Sequence, residues 1–486
     1  MSSRLSSQAS FVTILALAVL GTLAVPVPAY ACGALCSNPT SSADLPPRAS
    51  GEGGSALEKK AVRYDGKPDA NDWPADVSDG RQGEHNALAN SGIGQFPFKL
   101  MTAMRATAAS SSSGAGAADS KNELISALSV HTALGIALLG TGPDGPAQKE
   151  MAEVLGFGDS KKGSLDKSEV TKHYTAVNPS FDLKGEGAEP VIKMANQMIV
   201  SNKLPVKDEY VRLVSSLGAG VMRLDFGDAE KTITTVNDWV SENTAGKIPT
   251  ILTEIEPDEV GFLLNAIYFK GSWLYPFDKA ENAPFHTLGM GAKSVPTMTR
   301  KEVVGDRFAY WEDTHGQLLQ LAYQGPNMSG KHRFGMYLYL PAPGADFRTV
   351  QRDLDAATLQ MMIDKMIMLE GSISLPKFKI EVKYDLPDTL KYLGMRSVFT
   401  QSPTNFSAMT DDSLAISRVI HKTFISVDEQ GTEAAAATAL SCVGECASAE
   451  LGRIFAFKAD RPFLFFIRDN KTGMILFQGS VVEPQV

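Results

Sequence analysis

The sequence contains little of the material from which enzyme and metal sites are built. Its 486 residues include four cysteines and seven histidines. The histidines (His85, His131, His173, His286, His315, His332 and His421) are scattered singly. A lone histidine with no partner is more often structural than catalytic. There is no H-E-x-x-H, no P-loop, no G-x-S-x-G elbow and no G-x-G-x-x-G at a strand–helix junction. The cysteine pairs, Cys32-x3-Cys36 and Cys442-x3-Cys446, do not match zinc-ligand spacing. The chain therefore reads as a non-enzyme that takes no metal and no cofactor. It also lacks a basic run, and its net charge is -9, which argues against a nucleic-acid partner. After the first thirty residues no segment is apolar enough to span a membrane, so no membrane partner is expected.

What is present begins with a targeting pattern. Arg4, the apolar run FVTILALAVLGTLAV and the A-x-A site Ala29-Tyr30-Ala31 read as a signal peptide over residues 1–31. An uncleaved N-terminal anchor and, because Cys32 follows directly, a lipid anchor are the alternatives. Residues 32–87 are rich in Ser, Gly, Pro and Asp, too poor in apolar side chains to offset ordering entropy. They read as a disordered leader before a folded domain over 88–486. Helical spacing starts in QFPFKLMTAMRA, and ATAASSSSGAGAADS (106–120) reads as a flexible insertion.

Beyond Asn122 helix and strand patterns mix with no dividing linker, which predicts one large α+β domain. LISALSVHTALGIALLG (124–140) is apolar on nearly all sides and reads as a buried helix. ITTVNDWVSENT reads as an amphipathic helix closed by Gly246. VIKMANQMIV, VGFLLNAIYFKGSW, RFGMYLYLP, SISLPKFKIEVKYDL, TFISVDEQ, FAFKADRPFLFFIRD and MILFQGSVVEP read as strands. The alanine-rich VDEQGTEAAAATAL (427–440) fits neither strand-like flank, and by itself would be a surface helix or linker.

Three stretches, LLNAIYFKGSWLYPFD, HKTFISVDEQGTEAAAAT and FKADRPFLFFIRDNKTGMILFQGSVVEP, closely resemble segments of the serpins, the serine-protease-inhibitor superfamily. Weaker collinear matches extend the resemblance over about residues 88–486. The resemblance implies the serpin fold: a large central β-sheet, surrounding helices and an exposed reactive-centre loop. It implies a suicide-substrate inhibitor, whose loop is cleaved and then inserts into the central sheet with the protease attached. The partner would be a serine protease, with a cysteine protease as the alternative, and the inhibitor a secreted monomer. The second reading is a non-inhibitory serpin-fold protein for binding, storage or chaperoning.

By resemblance the hinge of the loop is Glu429, Gly431, Thr432, Ala434, Ala435, Ala436, Ala437 and Thr438. These residues also suit a segment with two states. Strand side chains alternate, so Thr432, Ala434, Ala436, Thr438, Leu440 and Cys442 share one face, all small or apolar. The charge at Glu433 falls on the other face, and no proline removes a ladder donor. An inserted strand of about 15 residues would span about 50 Å. Also by resemblance, the sheet's shutter is Ser126, Ser129, Asn265 and His421, and its breach is Trp273 with the ion pair of Lys377 and Glu429. The family's spacing places the reactive bond at Glu445–Cys446. Arg453 stands too far along for normal insertion, so cleavage there would make a substrate rather than an inhibitor. A Cys442–Cys446 disulfide needs Cα atoms about 4.4–6.8 Å apart, whereas four extended residues span about 13 Å. Oxidation would thus kink the bait; two free thiols are the alternative. Asn327, Asn405 and Asn470 head glycosylation sequons.

Overall fold

The computed structural model describes residues 82–111, 121–143, 145–158, 165–177, 190–256, 258–289, 291–301, 303–325, 327–328, 331–432 and 453–485. All lie in the compact unit Pro68–Val486. In chain order the elements begin with α1 (Gln82–Asn90), α2 (Gly92–Ser111), β1 (Glu123–Ile125), α3 (Ala127–Leu139), α4 (Pro146–Leu155) and α5 (Lys167–Val177). Next come β2 (Val191–Ser201), α6 (Asp208–Ser216), β3 (Gly220–Leu224), α7 (Ala229–Asn243) and β4 (Gly261–Ser272). A run of strands follows: β5 (Glu281–Thr287), β6 (Gly291–Arg300), β7 (Phe308–Glu312), β8 (Gly316–Ala322), β9 (Asn327–Met328), β10 (Lys331–His332) and β11 (Phe334–Pro341). Then come α8 (Phe347–Asp353), α9 (Ala356–Asp364), β12 (Ile367–Leu369), β13 (Gly371–Pro376), β14 (Phe378–Asp385) and α10 (Pro387–Leu393). The last strands are β15 (Val419–Val427), β16 (Gly431–Thr432), β17 (Phe455–Lys458), β18 (Phe463–Asp469) and β19 (Ile475–Val481).

A six-stranded sheet in the order β14-β15-β16-β4-β2-β3 carries the site described below. β4 is apolar apart from Asn265, Lys270 and the terminal Ser272, as suits a strand with both faces buried. Phe262, Leu264 and Ala266 pack with Ile420 and Phe424 of β15 against Val236 and Val240 of α7. The alternate residues Ile267 and Phe269 join Leu124, Leu128 and Phe477 in the opposite core. A seven-stranded antiparallel sheet, β1-β19-β18-β11-β8-β7-β12, backs that core. A third sheet, β17-β13-β6-β5, has one parallel pair, β13 with β17.

Several boundaries differ from the sequence reading for local reasons. The run 124–140 is not one helix: β1 pairs with β19, and Ser126, in extended conformation, caps the N-terminus of α3. SISLPKFKIEVKYDL divides at Lys377 between two sheets, since Pro376 has no N–H to continue a ladder. Helix α2 runs to Ser111, into the stretch read as a flexible insertion. Helix α1 starts at Gln82, ahead of the expected domain start at 88. Helix α7 ends as read, with Gly246 in the left-handed region (φ +75°) and its N–H on Ser241 O.

Every residue of α3 is buried. On it, Gly135 lies under the Tyr174 ring, and a Cβ there would come within 2.1 Å of ring carbon. Tyr174 is fixed in turn by its hydroxyl, 2.8 Å from both His131 Nδ1 and His131 O. Gly135→Ala is therefore expected to destabilise the fold by about 1–3 kcal/mol through overpacking. The check is the denaturant midpoint; an unchanged value would contradict this packing.

Candidate functional site

Strands β4 and β15 run parallel and pair over Val419–Thr423 against Leu263–Ile267. Asn265 and His421 are direct partners in that register. Both are almost fully buried. The Ser126 backbone N–H donates to His421 Nε2 at 3.2 Å, so Nε2 carries no proton. Nδ1–H is then the donor to Asn265 Oδ1, 2.5 Å away. The Asn265 amide donates onward to Ser129 Oγ and to Asn196 Oδ1. Ser126 Oγ donates to Leu476 O at 2.6 Å and accepts from Ser129 N–H at 3.4 Å. Ser126, Ser129, Asn265 and His421 thus meet in one cluster tying β15, β4, α3 and β19 together. Asn196 belongs to it and escaped sequence reasoning. Its trace was a polar residue inside the apolar run VIKMANQMIV, but only the register, Asn196 opposite Asn265, shows its partner.

Above Thr423 the seam parts. The chain leaving Val427 turns back at Asp428, whose carboxylate accepts the N–H groups of Gln430 (2.9 Å) and Gly431 (3.2 Å). β16 then wedges between the two strands, Thr432 standing opposite Val427 on one side and Gly271 on the other. Both pairings are antiparallel. Gly431 is required by close approach: a Cβ would lie 2.1 Å from Gly271 O. Thr432 is fully buried, its hydroxyl 2.8 Å from Tyr323 Oη. Thr432, which begins the small or apolar face of the hinge, is thus already seated between the two strands.

Trp273, Lys377 and Glu429 converge at this end. Trp273 stacks on Tyr323 (4.7 Å, 20°) and donates its indole N–H to Asp428 O at 3.0 Å. Its backbone N–H binds Gln430 O at 2.8 Å. Lys377 Nζ pairs with Glu429 Oε2 at 2.9 Å, and Glu429 Oε1 accepts the Ala280 N–H at 3.1 Å. Burial alone would raise the Glu429 carboxyl, but Lys377 and the backbone donors outweigh it and hold it below its usual range. Tyr323 and Asp428 were not legible as partners, because each acts through a contact that the fold creates.

The hinge residues Ala434, Ala435, Ala436, Ala437 and Thr438, the Glu445–Cys446 bond and the Cys442/Cys446 pair lie outside the described residues. Among the sequons, the Asn405 side chain is buried and its amide donates to Ser397 O (2.6 Å) and Thr400 O (2.9 Å). The Asn470 amide is also engaged, donating to His332 O and accepting from Tyr337 Oη. Asn327 lies in β9, paired with β10. Among the described residues no cluster of three or more His, Cys, Asp and Glu is placed to hold a metal ion. No helix among them is long and apolar enough to cross a membrane.

These features define an α+β protein whose central sheet is parted at one end by a strand still attached to a long segment of chain. The family follows from comparison with known proteins. A family model described as Serpin (serine protease inhibitor) matches residues 96–484. Serpin B6 of Pongo abelii is 33% identical over 377 residues, covering 76% of this chain and 95% of the relative. The leukocyte elastase inhibitor of Homo sapiens is 33% identical over 376 residues, covering 75% and 93%. Among solved structures, human thyroxine-binding globulin complexed with thyroxine matches with a TM-score of 0.68 at 25% identity, over 83% of this chain and all of that one. The chain belongs to the serpin family.

Burial lowers the pKa of His421 from 6.5 to about 3. Protonation would place an N–H on Nε2 facing the Ser126 N–H, donor against donor. The unfolded chain takes up this proton near pH 6.5, so the contribution is fully present above that pH and is lost as pH falls toward 3. The slope is about 1.4 kcal/mol per pH unit for each such group. His131 and His173, lowered chiefly by burial to about 3 and about 4, add slopes of the same sign. Denaturant midpoints are expected to fall on acidification below neutrality, and less steeply in His421→Gln. An equal slope in the variant would show that His421 does not take part.

Proposed function

We propose that this chain inhibits a serine protease by the suicide-substrate route, with the segment after Thr432 as bait. The observation that supports this reading is the parted seam: Thr432 already pairs antiparallel with both β15 and β4, and Gly431 with β4. Residues 433–438, Glu433 and then small side chains up to Thr438, can extend that strand downward if the parallel pairs of Val419–Thr423 give way. The Asn265–His421 bond crosses the seam on the path of insertion, in the role of a shutter. Trp273, Lys377 and Glu429 hold the entrance as its breach. A polar cluster of this kind trades hydrogen-bond partners without exposing apolar surface.

In the chemical step the protease's serine oxygen bonds to the Glu445 carbonyl carbon. The C–N bond to Cys446 breaks, and the departing amine takes up a proton. Insertion then carries the ester-linked protease away before water completes hydrolysis. This chain supplies bait and strand, and the protease supplies the catalysis. Export to the extracellular side rests on residues 1–31 alone. Thyroxine-binding globulin shares the fold, so the fold by itself does not separate inhibition from ligand carriage; the wedge of small residues favours inhibition.

The test mixes the full chain with a panel of serine and cysteine proteases and looks for a complex that survives denaturing electrophoresis. Cleavage of the chain with no such complex, across the panel, would overturn the reading. Thr432→Arg provides an internal control. An unpaired charge at this buried site costs several kcal/mol, so complex yield should fall by more than about tenfold while cleavage persists.

A further inference from the structure

No lysine or arginine occurs between Thr432 and Arg453, so Arg453 is the first basic residue that a protease meets along the bait. The structure ties it down. Its guanidinium pairs with the carboxylate of Glu312 at the end of β7. Glu312 is held from behind by the Tyr310 hydroxyl, which donates to Oε2 at 2.6 Å. Burial alone would raise the Glu312 carboxyl, but the bonds from Tyr310 and Arg453 outweigh it and keep it below the usual range. The anion therefore persists at neutral and mildly acidic pH.

The same tyrosine holds the chain two residues further on. The rings of Tyr310 and Phe455 stack at 4.4 Å and 15°. Phe455 is buried, its N–H donates to Glu370 O at 3.1 Å, and it pairs with Gly371 at the start of β17. Gly371 is needed there, since a Cβ would lie 2.4 Å from the Phe455 ring. Gln317 adds a bond from its side-chain amide to Ala456 O. An arginine-specific peptidase needs the arginine side chain free to fill its pocket. It also needs extended backbone on both sides of the bond. At Arg453–Ile454 the side chain is paired, and the residue after Ile454 is already committed to a sheet.

We propose that Glu312 and Tyr310 form a lock that denies the Arg453–Ile454 bond to arginine-specific peptidases, so that this inhibitor's partners are peptidases accepting a non-basic residue within 433–452. The lock rests on the inhibitory reading only for its purpose; its geometry stands without it. Glu312 and Tyr310 act as positioning residues, through Arg453 and Phe455.

The experiment digests the full chain and its Glu312→Gln variant with trypsin at neutral pH and follows the fragment 454–486 by mass. Wild type should release it far more slowly than a free peptide spanning the same bond is cut. An exposed ion pair is worth little, so Glu312→Gln should speed release by about two- to fivefold, and Tyr310→Leu further. The rate at which a glutamate-specific endopeptidase cuts within 433–452 should be equal in all three proteins, which separates loss of the lock from general unfolding. Wild type cut as fast as the peptide, a rate unmoved by Glu312→Gln, or a denaturation-resistant complex with trypsin would each overturn the lock. Protection from trypsin together with clean cleavage, but no complex, by elastase-type and glutamate-specific peptidases would leave the lock standing and remove the inhibitory reading instead.

Discussion

The seam between β4 and β15 governs how the rest of this molecule is arranged. Five residue pairs hold it in parallel register, and above them two residues, Gly431 and Thr432, stand between the strands. Parallel pairing is slightly weaker per residue than antiparallel. A strand that continued from Thr432 would exchange one parallel interface for two antiparallel ones, while its small side chains meet no steric barrier. Under the proposed function, insertion after a cut would give a more favourable sheet arrangement than that of the intact chain.

The polar cluster under the seam suits that arrangement. A core of aliphatic contacts across β4 and β15 would resist separation in proportion to buried area. Asn265 and His421 instead hold the strands with a directional bond, and both amide hydrogens of Asn265 have acceptors, Ser129 Oγ and Asn196 Oδ1. Such a network is worth most when complete and fails together. At the upper end the Asp428 turn, the Trp273–Tyr323 stack and the Lys377–Glu429 pair fix where the parting starts. At the far end of residues 433–454, Phe455 is anchored between Tyr310 and Gly371. The described structure thus holds both ends of the segment that connects them.

Much of this was legible before any coordinates. Asn265 and His421 were placed together through the family resemblance, and Gly431-Thr432 with the alanines after it shows a small-residue pattern that suits a segment with two states. The largely apolar run of β4 read as a buried strand. What stayed hidden was partnership across long sequence separations. Asn196 meets Asn265 only through antiparallel register, Tyr323 finds Thr432 only once two sheets are stacked, and Glu312 finds Arg453 from the end of another strand. Ser126 was read into a helix because its neighbours are apolar. Its role as cap follows from β1 pairing with β19, a tertiary event. Asn405 heads a sequon, and only the fold shows that its side chain is buried and bonded to Ser397 O and Thr400 O.

The strand-accepting seam is tested most directly by comparing unfolding before and after a single cut within residues 433–452. Freed at one end, the segment should extend β16 down the seam, and the heat or denaturant midpoint of the cut protein should rise above that of the intact chain. A cut protein that unfolds at the same midpoint, or a lower one, would contradict the claim that the parted sheet takes up a strand.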